Sequence, residues 1–176
     1  EDRRQLLEQG AVRGLQHYSV GYFVAHGSCI AFDDAAIAIV GPSGAGKSTL
    51  ATALCQRGAR LVSDGMTAVL PDSGRVTIGR AATKLNPDSL KLFGYLPDDF
   101  TLVVSGLPKH YFPVDGAVSD PVLKCIFLVE QSDDLHIVEL DGAAALVRLI
   151  SNAYLVEYLP VAYAPILMSR AGELLR

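Results

Sequence analysis

The chain has 176 residues, of which 50% are hydrophobic and 19% charged, a length and an apolar content that suit one domain spanning 1–176 with a sizeable core. A net charge of −4 with no Lys/Arg run argues against a nucleic-acid binder. No apolar segment reaches the roughly 18 uninterrupted residues of a membrane span, so no membrane partner is expected.

The opening, EDRRQLLEQG, is charged and lacks the apolar centre of a signal peptide, so a cytoplasmic location is expected. Cys29, Cys55 and Cys125 are odd in number, lie in apolar segments and lack metal-ligand spacing, which reads as buried, reduced thiols. Glu1 to Gln9 reads as a helical turn or a frayed end, within an N-terminal segment over 1–17 that is prone to fraying. Tyr18 to Ala25 and Ser28 to Phe32 are β-rich runs separated by His26-Gly27. Asp33-Asp34 is a turn, and Ala35 to Val40 is a short apolar run of the kind a fully buried strand shows.

Next comes Gly41-Pro-Ser43-Gly44-Ala45-Gly46-Lys47-Ser48-Thr49, whose spacing fits the phosphate-binding loop G-x-x-x-x-G-K-[ST]. The glycines permit backbone angles that let successive N–H groups turn inward. Those groups form an anion nest at a helix N-terminus, where the helix dipole adds positive potential. In such a loop Lys47 reaches the terminal phosphates of a nucleotide and Ser48 places its hydroxyl on Mg²⁺. A buried strand before the loop and a helix from Ser48 to Arg57, stopped by Gly58, supply the context the motif requires. The loop implies a nucleoside triphosphate, ATP or GTP, bound with Mg²⁺, without saying what is done with it.

Arg60 to Ser63 reads as a short strand ending at Asp64. Met66 to Leu70 and Arg75 to Ile78 read as a hairpin around Pro71-Asp-Ser-Gly74. Arg80 to Lys84 is a polar loop, Asn86 caps a helix to Phe93 with Pro87 in its first turn, and Thr101 to Ser105 is a strand. Leu107 to Gly116, with its prolines, is a loop. Val122 to Glu130 and Leu135 to Leu140 are strands, Asp141 caps a helix to Asn152, and 153–176 is helical with breaks near Pro160 and Pro165. The whole reads as an α/β fold, a mixed β-sheet flanked by helices. The apolar end with Tyr154, Tyr158 and Tyr163 is core by default, with a subunit interface or a peptide-docking surface as alternatives.

Asp64 is either a turn aspartate, in Asp64-Gly65, or the acidic residue that meets Mg²⁺ or the attacking group at the carboxyl end of a strand. His26 is either a hydrogen-bonded structural histidine or a group close to the phosphate end of the site. There it would hold or tune Asp64, or contact a phosphoryl oxygen.

Taken together, His26-Gly27, GPSGAGKSTL, Arg57-Gly58 and Leu61-Val62-Ser63-Asp64 resemble the catalytic core of the HPr kinase/phosphorylase family over Tyr18 to Leu70. Length and the downstream region resemble the shorter HPr-kinase-related kinases, some of which phosphorylate lasso-peptide precursors. Lys84-Leu-Asn86-Pro-Asp-Ser-Leu90 is similar to a basic-Leu-Trp-Pro-Asp segment of those relatives, and Lys109 falls where they often carry a basic residue. The resemblance implies a P-loop NTPase fold of the HPr kinase/PEP carboxykinase-like type. It also implies phosphoryl transfer from ATP to a serine hydroxyl of a small protein or peptide. It assigns Lys47 and the loop residues Gly41, Ser43, Gly44, Ala45, Gly46, Ser48 and Thr49 to the nucleotide. Ser48 and Asp64 go to Mg²⁺, and Asp64 and His26 to catalysis, Asp64 as base. Arg80, Lys84 and Lys109 are candidates for phosphate or substrate contacts. Ring assembly in the bifunctional relatives makes a homo-oligomer an expectation.

The chain departs from the family at Gly65, where a second aspartate is usual, and at Asn86, where a tryptophan is usual. Asp72 and Asp115 are the candidates to compensate for the missing carboxylate. The E-I-R-G-type segment of the bifunctional members is missing, which argues against the reverse dephosphorylation. Three other readings compete. A small-molecule kinase would need an arginine-rich lid, yet Tyr95 to Pro121 holds only Lys109 as a basic residue. A transporter ATPase would need L-S-G-G-Q and an Asp-Glu strand end, neither present. A nucleotide-binding module without catalysis would fit Gly65.

Overall fold

The computed structural model describes residues 8–176; the expectation for Glu1 to Gln9 otherwise falls on residues outside that range. A π-helical stretch, Glu8–Val12, leads into α1 (Arg13–Ser19). Tyr18 to Val20, expected to begin a strand, therefore close a helix instead. Gly21, at φ +104°, then reverses the chain into β1 (Phe23–Ala25).

The elements that follow are β2 (Gly27–Phe32), β3 (Ala35–Val40), α2 (Lys47–Cys55), β4 (Arg60–Ser63) and β5 (Thr67–Val69). Then come β6 (Ala82–Leu85), α3 (Pro87–Leu92), β7 (Leu102–Val104), β8 (Leu107–Pro113) and β9 (Val122–Leu128). The chain ends with α4 (Gly142–Ser151) and α5 (Ala164–Leu174), joined through 3₁₀ turns at Val156–Tyr158 and Val161–Tyr163. Three sheets result, flanked by helices. The main one has the order β4-β2-β3-β9, the second pairs β1 with β5, and the third runs β6-β8-β7. The main sheet is mixed: β2 is antiparallel to β3 and β4, while β3 is parallel to β9. β3 is flanked on both sides and its Ala36, Ala38, Ile39 and Val40 are buried, as its continuous apolar run predicts.

Further expectations are corrected. Arg75 to Ile78 forms no regular strand, although the expected hairpin pairing is present in part: Val76 bridges to Val69, Thr77 N donates to Ala68 O at 3.0 Å and Leu70 N to Arg75 O at 2.9 Å. Ala82–Leu85 and Leu107–Pro113, expected as loops, are paired strands of the third sheet. Their pairing depends on residues distant in sequence, and Pro113 lies at the strand end, where its missing N–H costs little. Leu135 to Leu140 alternates like a strand but has no partner, and Leu135 is fully solvent-exposed. Only Cys29 of the three free thiols is buried, since Cys125 is on the exposed side of the edge strand β9 and Cys55 is half-buried near the end of α2.

The caps at Asn86 and Asp141 form as read: Asn86 Oδ1 accepts from Ser89 N at 2.7 Å and Asp141 Oδ1 from Ala144 N at 2.8 Å. Pro160 precedes a break, whereas Pro165 sits within the first turn of α5, a position that costs no hydrogen bond. The C-terminal segment contributes to the core as expected, except Tyr158, which is exposed. Ala153, Leu167 and Ala171 are buried with Tyr18, Phe23, Val24, Val40 and Leu149, and Tyr154 and Tyr163 pack against them. Among the described residues, no helix is long and apolar enough to cross a membrane.

Candidate functional site

Strand β3 delivers the chain into the glycine loop. A Cβ at Gly41 would run into the carbonyl oxygen of Val129, so the parallel neighbour of β3 leaves room only for glycine. Gly44 and Gly46 hold φ of +85° and +86°, and Gly46 stands at the N-cap of α2, so the loop turns into the helix through left-handed backbone. The first N–H groups of α2 thus face the loop mouth without a side-chain cap. Lys47 folds back over the loop, Nζ donating to Gly41 O at 2.8 Å and Pro42 O at 2.7 Å. Burial, then the positive charge of Lys109, pulls the Lys47 pKa below its usual value, and Asp64 opposes that shift.

Asp64, directly after β4, is where the elements meet. Its Oδ1 accepts from Ser48 Oγ at 2.7 Å and from Ser28 Oγ at 2.6 Å, and its Oδ2 accepts from the Lys84 backbone N at 2.8 Å. One carboxylate thereby ties β2, the loop helix and β6 together. A hydroxyl and a carboxylate in contact beside the glycine loop are hard oxygen donors of the kind that suit Mg²⁺, which needs few protein ligands. Among the described residues, no cluster of three or more His, Cys, Asp or Glu forms a metal cage.

His26 links β1 to β2, and its backbone N donates to Asn152 O at 2.8 Å. Its Nδ1 lies 3.1 Å from Gly65 O. A carbonyl only accepts, so Nδ1 carries the proton and Nε2 a lone pair. Burial, followed by the charge of Lys47, holds the His26 pKa below the usual histidine value, which keeps the ring neutral near pH 7. The ring stacks on Tyr154 with centroids 6.3 Å apart. His26 thus hydrogen-bonds the residue after Asp64 and not the Asp64 carboxylate, one of the three roles expected for it.

Of the downstream basic residues, Lys84 reaches the residue after Asp64, and Lys109 shares its strand face, two residues before Tyr111, the register partner of Lys84. Lys84 Nζ lies 3.0 Å from where a Cβ at Gly65 would stand, and Lys109 depresses the pKa values of both His26 and Lys47. The Arg80 guanidinium lies 4.3 Å over the Tyr111 ring. Ser43 is exposed at the loop tip and Ala45 half-buried, its N donating to Pro42 O at 3.3 Å. Thr49 bonds Ser89 across 2.9 Å and so ties the loop helix to α3. Neither aspartate considered as a substitute joins the cluster: Asp72 is exposed in the turn after β5, and Asp115, also exposed, accepts from Leu61 N at 2.8 Å through its backbone oxygen.

Sequence reading missed Ser28. A serine two residues beyond His26, in an otherwise apolar strand buried from Gly27 to Ala31, was the signal: a hydroxyl there needs a partner, and Asp64 is that partner. Beside the loop a cleft of about 130 Å³ opens between Gly41, Pro42, Glu130, Arg148 and Asn152, with Arg148 paired to Glu130 at 2.9 Å. No protein-family model matches this sequence, and a search of curated proteins finds no match.

Proposed function

We propose that the protein is an ATP-dependent serine kinase of the HPr-kinase-related, P-loop NTPase type, acting in the cytoplasm on a small protein or peptide. The observation that carries this reading is the Asp64 carboxylate hydrogen-bonded to Ser48 of the glycine loop at 2.7 Å. It sets an acidic group beside the loop helix, where phosphoryl transfer needs charge neutralisation and a proton acceptor.

The loop amides and Lys47 bind the phosphates, Lys47 exchanging its bonds to Gly41 O and Pro42 O for phosphate oxygens. Ser48 and Asp64 would hold Mg²⁺, which when bound neutralises the charge on the phosphate oxygens. Asp64 also takes the proton from the serine hydroxyl of the acceptor, and His26 offers its Nε2 lone pair to orient that hydroxyl.

Transfer of labelled γ-phosphate from ATP and Mg²⁺ tests the reading. The acceptor panel holds a bacterial HPr protein, serine-ending lasso-type precursor peptides and small-molecule acceptors, with Asp64→Asn and His26→Ala alongside. We expect label on a peptide or protein serine, cut by a factor of about 10²–10⁴ in Asp64→Asn, the range for loss of a general base. Label only on a small molecule would make it a kinase of another class. ATP binding with no acceptor labelled would point to a nucleotide-binding module without catalysis.

A further inference from the structure

The third sheet has two unlike faces. Thr83 and Leu85 on β6 and His110 and Phe112 on β8 are buried on one side. Lys84 is the register partner of Tyr111, and Lys109 is two residues before Tyr111 on the same strand. Alternation along a strand therefore puts Lys84, Tyr111 and Lys109 on the opposite face. That face turns toward the loop: Lys84 Nζ stands 3.0 Å from the place of a Cβ on Gly65, and the charge of Lys109 is felt at both Lys47 and His26.

The local charge does not balance. Lys84 and Lys109 share this face, and the carboxylate beside it, Asp64, already accepts from Ser28, Ser48 and the Lys84 backbone. The ion pairs among the described residues, Lys91 with Asp88 and Arg148 with Glu130, include neither Lys84 nor Lys109. Arg80 differs, because its guanidinium rests on Tyr111. Like charges collected in a half-buried place repel, and a polyanion between them removes that cost.

We infer that Lys84 and Lys109 form a second anion subsite facing the glycine loop. It takes the terminal phosphate of a nucleoside triphosphate, and Gly65 keeps it open. The inference rests on the nucleotide reading above and adds a specific consequence: these lysines discriminate triphosphate from diphosphate. Gly65 takes part because any side chain there would meet the Lys84 ammonium, and because its φ of +83° favours glycine.

The test is equilibrium binding, measured by calorimetry, of ATP, ADP and inorganic tripolyphosphate to the full chain with Mg²⁺. Lys84→Gln and Lys109→Gln are compared with wild type, and Lys91→Gln, at an exposed lysine paired with Asp88 on α3, serves as the control. Loss of one charge-assisted contact weakens ATP and tripolyphosphate binding roughly tenfold in either lysine variant. ADP affinity stays within about twofold, because the loop and Lys47 that hold its phosphates are intact. Lys91→Gln changes the affinity of neither nucleotide. Melting temperatures matched to wild type exclude misfolding, and Lys84→Arg, which keeps the charge, restores most of the ATP preference. Equal weakening of ATP and ADP, or an unchanged ratio, would overturn the subsite while leaving the nucleotide reading in place. Tripolyphosphate binding that Lys84→Gln weakens, with no nucleotide bound, would support the subsite and refute the nucleotide reading. Binding of none of the three ligands would refute both.

Discussion

His26 shows at the scale of one residue how the site's charge reaches stability. Its imidazole is neutral in the folded chain because burial and the ammonium of Lys47 both oppose a proton on the ring. Unfolded, the same side chain titrates near its ordinary value of 6.5. As pH falls through that value the unfolded state binds a proton that the folded state refuses, so stability drops until the folded pKa is passed and then levels off. Urea midpoints should therefore fall between pH 7.5 and pH 5.5. The fall should be smaller in His26→Gln, which keeps a donor for Gly65 O but does not titrate. His17, held low by burial and Arg13, contributes in the same direction and accounts for part of the remaining slope. An identical slope in wild type and His26→Gln would show that His26 is not held low.

Between elements, the link that positions the third sheet is a pair of buried threonines. Thr52 on α2 donates to Ser48 O at 2.8 Å, and its oxygen lies 2.7 Å from the Thr83 hydroxyl on β6. Thr52 has one proton, already given to Ser48 O, so Thr83 is the donor between them. The two substitutions to valine are then unequal. Thr83→Val removes a donor and leaves Thr52 satisfied, at about 0.5–1.5 kcal/mol. Thr52→Val strands the Thr83 hydroxyl in a fully buried place and costs about 1–3 kcal/mol. Denaturant unfolding of both single variants and the double variant checks this; the double should cost less than the sum, because each change removes the same bond. A larger loss for Thr83→Val would reverse the assigned donor. This pairing also marks the limit of what the sequence could tell. The strand, glycine loop and helix over Ala35–Cys55 and the caps at Asn86 and Asp141 are local patterns, and they form as read. Strands β6 and β8 are polar or bounded by proline, and they exist because residues nearly thirty positions apart pair, which no local window contains. Leu135 to Leu140 is the converse, a good strand pattern that pairs with no strand among the described residues. In the site, Asp64, Ser48 and His26 were legible because motif spacing places them, but the His26 contact to Gly65 O and the part of Ser28 follow from strand register.

At the scale of the molecule, the chain after Asn152 closes the core on which the site stands. Ala153 bridges to Ala25, and Tyr154 N donates to Val24 O at 2.8 Å, so the segment continues beside β1. Tyr18 donates its hydroxyl to Tyr154 O at 2.8 Å, and Arg170 donates to Tyr18 O at 2.9 Å and Tyr22 O at 3.0 Å. Of these acceptors, Tyr18 O lies in the last turn of α1, where carbonyls lack a full set of partners within the helix. Leu167 is 3% exposed, and truncating one such side chain costs about 2–5 kcal/mol. A domain has only about 5–15 kcal/mol in total, so losing Leu167, Ala171, Tyr154, Tyr163 and Arg170 together exceeds what it can lose. A chain ending at Asn152 should therefore show no cooperative thermal transition by circular dichroism. It should also fail to bind ATP, although every residue of the glycine loop is still there. Tyr158, 75% exposed, lies in the same segment outside that core, and Tyr158→Ala should leave the melting temperature within about 2 °C, as surface substitutions do. Cooperative unfolding of the shortened chain with ATP binding intact would instead make 153–176 an appendage, free to serve as docking surface.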